Sequence, residues 1–359
     1  MSSVLVHAPH AHSGAGVGGV MATVMLALAP ATAFGFWAFG WPAIYLWTVT
    51  VLACVLTEAV CLKWRGQHAL PRLADGSAIL TGWLLAVSLP PWAPAWLGVV
   101  GAVAAIALGK QVFGGLGQNP FNPAMVGRVL LLIAFPVEMT TWVAPHPLGS
   151  SGAPDLWAAA GITLGGNGYD AVTSASLLGG FKTELTRGVE GASAIAHAFA
   201  PLSNGLAGMR AGSLGETSAG LLLLGGLFLL WRGVIGWQAP VGMLLGVLVP
   251  AAILHTTHPD TTLPVSAHLF GGGLLLGAFF IVTDYVSSPG TPAGRLVFGL
   301  GCGLLTFVIR NFAGYPEGVA FAVMLMNAMT PLIDRAIRPR VYGRDRRGRS
   351  LPPLGGDKK

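Results

Sequence analysis

The largest shortage in this sequence is charge. Only 9% of the 359 residues are Asp, Glu, Lys or Arg, whereas 53% are hydrophobic. A water-soluble protein of this size needs more charged side chains to cover its surface, so the composition excludes an ordinary soluble enzyme and indicates a polytopic membrane protein. The net charge of +6 comes mainly from a basic segment at 335–359. Such a segment indicates membrane orientation and lipid contact rather than a nucleic-acid surface.

Cysteine is also rare, because Cys54, Cys61 and Cys302 are the only three and all lie in apolar runs. They cannot supply the four ligands of an iron–sulfur cluster, so we expect packing roles. The histidines of the tail at 1–16 lack nearby carboxylates or thiols, and we expect no metal site. The chain has no nucleotide-binding fingerprint and no basic region before its first apolar run, so we expect neither a nucleotide site nor a cleaved signal.

Apolar runs near the ~20 residues that a helix needs to cross a bilayer are abundant. We expect about ten transmembrane helices, five on each side of a more polar insert. Five is odd, so the two halves would point in opposite directions and form a 5+5 inverted repeat. The expected order is a tail at 1–16, a first half at 17–136, the insert at 137–216, a second half at 217–333 and a basic tail at 334–359.

Two of the expected helices are interrupted. The run that opens at Asp75 stops at Pro90-Pro91, and the matching run at 265–283 carries three consecutive glycines and ends at Asp284. Interrupted segments in corresponding positions of two repeats indicate a binding site between the halves, near the middle of the membrane.

The distribution of basic residues predicts the orientation. The expected inner loops contain Lys63, Arg65, Arg72 and Lys110, whereas the expected outer loops at 90–94 and 255–264 contain no Lys or Arg. By the positive-inside rule, both termini are then cytoplasmic and the insert faces outward.

Acidic residues inside membrane runs are costly and are functional candidates by default. Glu58, near the end of the second run, and Asp75, at the edge of an interrupted helix, are therefore candidates for an ion or proton pathway. The alternative for Glu58 is that its side chain extends toward Lys63 or Arg65 and has no role in transport.

A polar, glycine-rich stretch precedes the last run of the first half. Its Asn119 and Asn122 could hydrogen-bond a planar polar ligand, or they could only satisfy the backbone of an irregular helix junction. Arg128 lies one turn into a span and needs an anionic partner, either a carboxylate or a cofactor group. Together with Asp284, these residues form a candidate pocket.

The insert contains a hydroxyl-rich segment, Tyr169-Asp-Ala-Val-Thr-Ser-Ala-Ser176. On composition alone this is an ordinary Ser/Thr turn or helix cap. Its place in the most polar segment of a hydrophobic chain is what makes it a candidate site.

Taken together, these stretches resemble the D subunit of the Rnf electron-transport complex and, more distantly, the B subunit of the sodium-pumping NADH:quinone oxidoreductase. The resemblance extends over residues 5–343. Its most specific segments are Pro9–Gly14, Asp75–Gly82, Gly109–Ala124, Gly212–Ala219, Gly277–Asp284, Gly314–Ala322 and Pro339–Gly343.

The resemblance implies a fold similar to that of urea transporters, and an FMN joined by a phosphoester to a hydroxyl in the outward-facing insert. The implied attachment residue is Ser176, in a motif that also includes Asp170, Thr173, Ser174 and Ala175. Ser176 replaces the family's usual Thr, and a serine hydroxyl can form the same ester. Ser174 replaces a Gly that would allow closer backbone approach.

The family also implies a second, non-covalent flavin, riboflavin, which we assign to the candidate pocket around Asn119, Asn122, Arg128 and Asp284. The implied function is electron transfer coupled to Na⁺ or H⁺ translocation in a bacterial inner membrane, together with the A, B, C, E and G subunits of the Rnf complex. The alternatives are a scaffold subunit of that complex without covalent flavin, or a small-solute channel, because the inverted repeat alone does not determine function.

Overall fold

The protein is described by a computed structural model that covers residues 16–165, 177–186, 211–259, 262–315 and 317–339, with the single positions 188, 209 and 349. Within these residues the chain is all-helical and contains no β-strand. The first part contains α1 (Val17–Phe39), α2 (Trp41–Trp64), α3 (Ala69–Leu73), α4 (Ser77–Ser88), α5 (Ala95–Val103), a π-helix (Ala104–Gln111), α6 (Pro123–Ala134), α7 (Pro136–Thr140) and α8 (Leu156–Thr163).

The second part begins with α9 (Leu177–Thr186) and a short 3₁₀ helix (Leu214–Glu216). There follow α10 (Ala219–Trp231), α11 (Gln238–Thr257), α12 (Val265–Phe270), α13 (Leu274–Leu276), a second π-helix (Gly277–Ile281), α14 (Pro292–Phe312) and α15 (Val319–Ala336). Among the described residues, five helices are long and apolar enough to cross a membrane: α1, α2, α11, α14 and α15. The chain is therefore a multi-pass membrane protein, as the composition predicts.

Local sequence signals set the ends of several helices. Asn122 caps α6 by accepting a hydrogen bond from the backbone N–H of Met125 at 3.3 Å, and Pro123 occupies the first helical position. Thr291 caps α14 in the same way, with its Oγ1 3.0 Å from the backbone nitrogen of Gly294. A side-chain cap and a proline in the first turn are typical of a helix start.

Both expected interruptions are present. α4 has 12 residues and ends before Pro90-Pro91, so it is too short to cross a bilayer, which takes ~20 residues. The run at 265–283 breaks at Gly271–Gly273, where Gly272 adopts a positive φ of 67° that separates α12 from α13. Both breaks leave polar backbone groups inside an apolar protein, and side chains must satisfy them.

Glycines allow a close contact between the helices α11 and α14. A Cβ atom added at Gly242 would lie 2.6 Å from the carbonyl oxygen of Leu296, and one added at Gly246 would lie 2.5 Å from that of Leu300. Small residues four apart allow backbones to approach this closely, as in membrane helix pairs. The seam holds α14 rigidly, and α14 carries Arg310 near its C-terminal end.

Candidate functional site: two buried polar clusters and a cavity

The first polar cluster surrounds Glu58 on α2, whose side chain is 4% exposed. The Nζ of Lys110 lies 2.7 Å from Oε1 and 2.8 Å from Oε2 of Glu58, and it also donates to Ser77 Oγ at 2.6 Å. The Nε2 of Gln111 donates to the same carboxylate at 2.8 Å. We call Glu58, Ser77, Lys110 and Gln111 the Glu58 cluster. Its charges are balanced, which is the condition for burying them.

Asp75 joins this cluster through Ser77. Its Oδ1 accepts from the Ser77 backbone N–H at 2.7 Å and from Ser77 Oγ at 2.6 Å. Asp75 thereby fixes the first turn of α4, and Ser77 Oγ can still accept a hydrogen bond from Lys110. The two candidate pathway residues, Glu58 and Asp75, are thus connected by one serine and one ammonium group.

A π-helix explains how two consecutive side chains reach one carboxylate. Its wide turn places Lys110 and Gln111 against α2, and its bonding continues as Val112 N–H donates to the Ala107 carbonyl at 2.9 Å. π-Helical turns are rare and occur frequently at functional sites. Glu58 therefore contacts neither Lys63 nor Arg65 directly; Arg65 reaches the cluster only through Gln111 Oε1, at 3.1 Å.

A cavity opens beside the Glu58 cluster and encloses about 750 Å³ when its open mouth is included. Its walls come from α1, α4, the end of the first π-helix, the loop before α6, the end of α10 and the segment around Asp284. The lining is mostly apolar, with a few polar groups that include Lys110, Asn119, Asn122 and Asp284. A concave, mainly apolar pocket with few polar groups is typical of a small-molecule site.

Asn119 provides a test of whether the cavity suits a planar polar ligand. Its Nδ2 donates to the Phe121 carbonyl at 3.0 Å, whereas its Oδ1 is buried and has no hydrogen-bond partner among the described residues. A buried acceptor without a partner is costly. A ligand N–H would satisfy it once the Asn119 side chain turns toward the cavity that the residue lines, and the pyrimidine edge of a flavin carries such a group. The polar groups and the apolar walls of the cavity therefore fit a flavin ring.

The structure separates the residues predicted for this pocket. Asn119, Asn122 and Asp284 line the same cavity, although Asn122 also caps α6 and Asp284 accepts from Ser287 Oγ at 2.8 Å. Arg128 is not among the lining residues. Its partner is a carboxylate, one of the two alternatives that the sequence left open.

That carboxylate is Glu317, which precedes α15 and is the centre of a second polar cluster. It pairs with Arg128 on α6, accepts the backbone N–H of Gly273, and has its Oε1 3.6 Å from a terminal nitrogen of Arg310. Arg310 also donates to the His268 carbonyl at 2.8 Å. We call Arg128, Gly273, Arg310 and Glu317 the Glu317 cluster.

The Glu317 cluster satisfies the backbone that the break at Gly271–Gly273 exposes. Arg310 donates to the Gly271 carbonyl at 3.1 Å while Glu317 accepts from the N–H of Gly273.

Glu216, in the 3₁₀ helix before α10, lies within electrostatic range of Arg128 and Arg310 and accepts a hydrogen bond from Ser213 Oγ at 2.8 Å. Sequence reasoning did not single out Glu317 or Glu216. The available signal was that charges at span ends need partners.

The helix α9 begins one residue after Ser176 in the sequence and packs on the same region. The Nζ of Lys182 donates to the carbonyls of Ala313 at 2.6 Å and Tyr315 at 2.9 Å, in the loop before Glu317. Burial lowers the pKa of the Lys182 amine below its ordinary value. The candidate attachment residue Ser176 and its motif, Asp170, Thr173, Ser174 and Ala175, lie outside the described residues.

Comparison with known proteins gives consistent similarities along nearly the whole chain. Residues 4–343 match the family described as NQR2, RnfD, RnfE. Three relatives carry the name of the D subunit of the ion-translocating oxidoreductase complex. The chain is 50% identical over 350 residues to the one from Halorhodospira halophila, covering 97% of this chain and 98% of that one. It is 54% identical over 333 residues to the one from Stutzerimonas stutzeri, covering 92% and 94% of the two chains. The Escherichia coli protein is 41% identical over 350 residues, with coverage of 94% and 98%.

Proposed function

Because the chain belongs to the NQR2, RnfD, RnfE family, we propose that it is a flavin-carrying electron-transfer subunit of an ion-translocating oxidoreductase complex. The names of its relatives support the coarse assignment, since they describe the D subunit of such a complex. The chain acts as one part of a translocase and relies on other subunits for a complete reaction. We propose the A, B, C, E and G subunits of the Rnf complex as those partners.

The observation that carries the flavin assignment is the cavity with the unpartnered Asn119 Oδ1. We assign the non-covalent flavin, riboflavin, to this cavity. Asn119 would bind the polar edge of the ring, and the apolar walls would cover its faces and exclude water. A bound flavin supplies the electron chemistry, while the protein supplies position and electrostatics.

The covalent FMN is assigned to Ser176, on the resemblance of Thr173-Ser-Ala-Ser176 to the family's attachment motif. The helix that follows Ser176 in the sequence, α9, contacts the second half of the chain. Lys182 anchors α9 to the loop before Glu317. The phosphoester would prevent loss of the cofactor.

We also propose that the ten apolar segments form a 5+5 inverted repeat, similar to urea transporters. In each half a buried cation at the end of the fourth apolar segment bonds the interrupted third segment. In the first half Lys110 donates to Ser77 Oγ, and in the second half Arg310 donates to the carbonyl of His268. Equivalent contacts in both halves support the repeat. With both termini cytoplasmic in a bacterial inner membrane, the Glu58 cluster lies toward the inner side and the Glu317 cluster and insert toward the outer side.

Glu58 and Asp75 are the proposed pathway residues for Na⁺ or H⁺. They are joined through Ser77 and Lys110, and Lys110 also lines the cavity. Charge arriving in the cavity would therefore act within a few ångströms of the ion pathway. This proximity is the physical basis that we propose for coupling electron transfer to ion movement.

The experiment that tests the cavity assignment measures non-covalent flavin. We expect acid extraction of the purified chain to release riboflavin, identified by mass, and Asn119→Ala to release much less. The matched control is Gln118→Ala, since Gln118 is a neighbouring exposed amide that does not line the cavity. Equal riboflavin in Asn119→Ala and the original chain would contradict the assignment.

A further inference from the structure

Lys110 lies on the boundary between the ion pathway and the cavity. Its Nζ bonds Glu58 and Ser77, and the residue also forms part of the cavity lining. Among the described residues that line the cavity, Lys110 is the only cation and Asp284 the only acid. The same residue thus has an anion at its ammonium group and takes part in the wall of a cavity that can hold a ligand.

Glu58 has little besides Lys110 to balance its charge. Its side chain is buried, its second contact is the neutral amide of Gln111, and Arg65 reaches it only through that amide. A buried carboxylate that loses its cation must take up another cation or a proton. Any displacement of Lys110 therefore creates a demand for one positive charge at Glu58.

Lysine is suited to such a displacement. Its ammonium is a point charge on a flexible four-carbon stem, with three donors that need no fixed plane. The alternative position lies toward the cavity, where the described lining has no competing basic group. Asp284 is the acidic residue of the same lining, and its carboxylate accepts from Ser287 Oγ at 2.8 Å.

We propose that Lys110 couples the charge of a ligand in the cavity to cation binding at Glu58. The proposal rests on the function proposed above. When a reduced flavin or iron–sulfur group of a partner subunit delivers one electron to the cavity flavin, the cavity gains one negative charge. The ammonium of Lys110 turns toward that charge, and the Glu58 carboxylate takes up one Na⁺ or one proton. One electron and one cation enter together, and reoxidation releases both.

The groups around the exchange site match this role. Glu58 lies on α2 and accepts a hydrogen bond from Gln111 of the π-helix, which in turn accepts one from Arg65. Asp75 and Ser77 lie at the start of α4 and bond each other. The Glu58 carboxylate and the Ser77 hydroxyl oxygen, which Lys110 would leave, are acceptors that a cation can use. Asp284 lines the cavity as well.

The test is a redox titration of the cavity flavin at a series of cation concentrations. The purified chain carries Ser176→Ala, so that only non-covalent flavin contributes to the visible spectrum. Sodium is varied at constant pH, and pH is then varied at constant sodium. We expect the midpoint potential to rise by about 59 mV for each tenfold increase in the coupling cation, which is one cation per electron.

In Lys110→Met, Glu58 holds a cation in both redox states. We therefore expect the sodium slope to fall to near zero, and the pH slope to fall to that of the flavin ring's own protonation, while flavin remains bound. Lys110→Arg keeps a positive charge and should restore most of the slope. The matched control is Lys63→Met, because Lys63 is an exposed lysine near the end of α2, five residues from Glu58. This control should keep the full slope.

If Lys110→Met fails to fold, Glu58→Gln with Lys110→Met removes both charges of the pair and should fold, bind flavin and show the same reduced slopes. A full slope in either variant with flavin bound would overturn the role of Lys110. A chain without extractable flavin would instead contradict the cavity assignment and remove this proposal with it. Flavin content, measured on the same samples, distinguishes the two failures.

Discussion

Arg128 on α6 and Glu317 before α15 form a buried ion pair although 189 residues separate them in the sequence. The pair joins the first and second halves of the chain at the point where α12 and α13 are separated. The Glu317 carboxylate contacts Arg128 and Arg310 and accepts the backbone N–H of Gly273. The connection between the halves is therefore electrostatic as well as apolar.

The first prediction concerns this carboxylate. Glu317→Gln should destabilise the chain by about 3–5 kcal/mol, because Arg128 and Arg310 would lose the carboxylate that they contact. Thermal unfolding of the purified chain in detergent measures the loss. Glu138→Gln is the control, since Glu138 forms no ion pair within the part of the chain that the structure describes, and it should change the midpoint little. Equal midpoints for the two variants would contradict the role of Glu317.

A second prediction tests the seam between α11 and α14. Gly246→Ala places a methyl group about where the carbonyl of Leu300 already lies, 2.5 Å away, so the helices must separate. Overpacking of this kind costs about 1–3 kcal/mol, which should appear as a lower unfolding midpoint. The matched control is Gly19→Ala in α1, where an added Cβ meets nothing within 4 Å. Equal unfolding midpoints for Gly246→Ala and Gly19→Ala would contradict the close approach of α11 and α14.

The third prediction concerns Lys182. Lys182→Met should remove the hydrogen bonds to the carbonyls of Ala313 and Tyr315 and release α9 from the loop before Glu317. Backbone amide exchange over 177–186 should then become at least several times faster, because α9 would lose its anchor. Lys63→Met serves again as the control. Unchanged exchange in Lys182→Met would show that apolar contacts alone hold α9.

Sequence patterns predicted the class of protein and the interrupted helices because these follow from composition and from Gly and Pro at fixed positions. Pro90-Pro91 ends α4, and the glycines at 271–273 split the later run. The grouping of Asn119, Asn122 and Asp284 was also predictable, since corresponding interruptions in two halves indicate one site between them. The structure brings these three residues to one cavity.

The partners of the buried charges could not be predicted from the sequence. The sequence places Lys110 in an inner loop. The wide turn of the π-helix brings Lys110 to Glu58, so that Lys110, and not Lys63 or Arg65, forms the ion pair. The need of Arg128 for an anion was clear, but choosing Glu317 requires knowing how α6 packs against α15. Pairings between distant segments follow from tertiary packing, and local pattern carries no information on them.

The central claim is that this chain carries flavin, and the most direct measurement is the intact mass of the chain with in-gel flavin fluorescence after denaturation. The source cells must contain the flavin transferase. We predict a fluorescent band with the added mass of one FMN, its loss in Ser176→Ala and its retention in Ser176→Thr, which restores the family's usual residue. An unmodified mass and a dark band for the original chain would contradict the claim for Ser176 and favour a scaffold role for the insert.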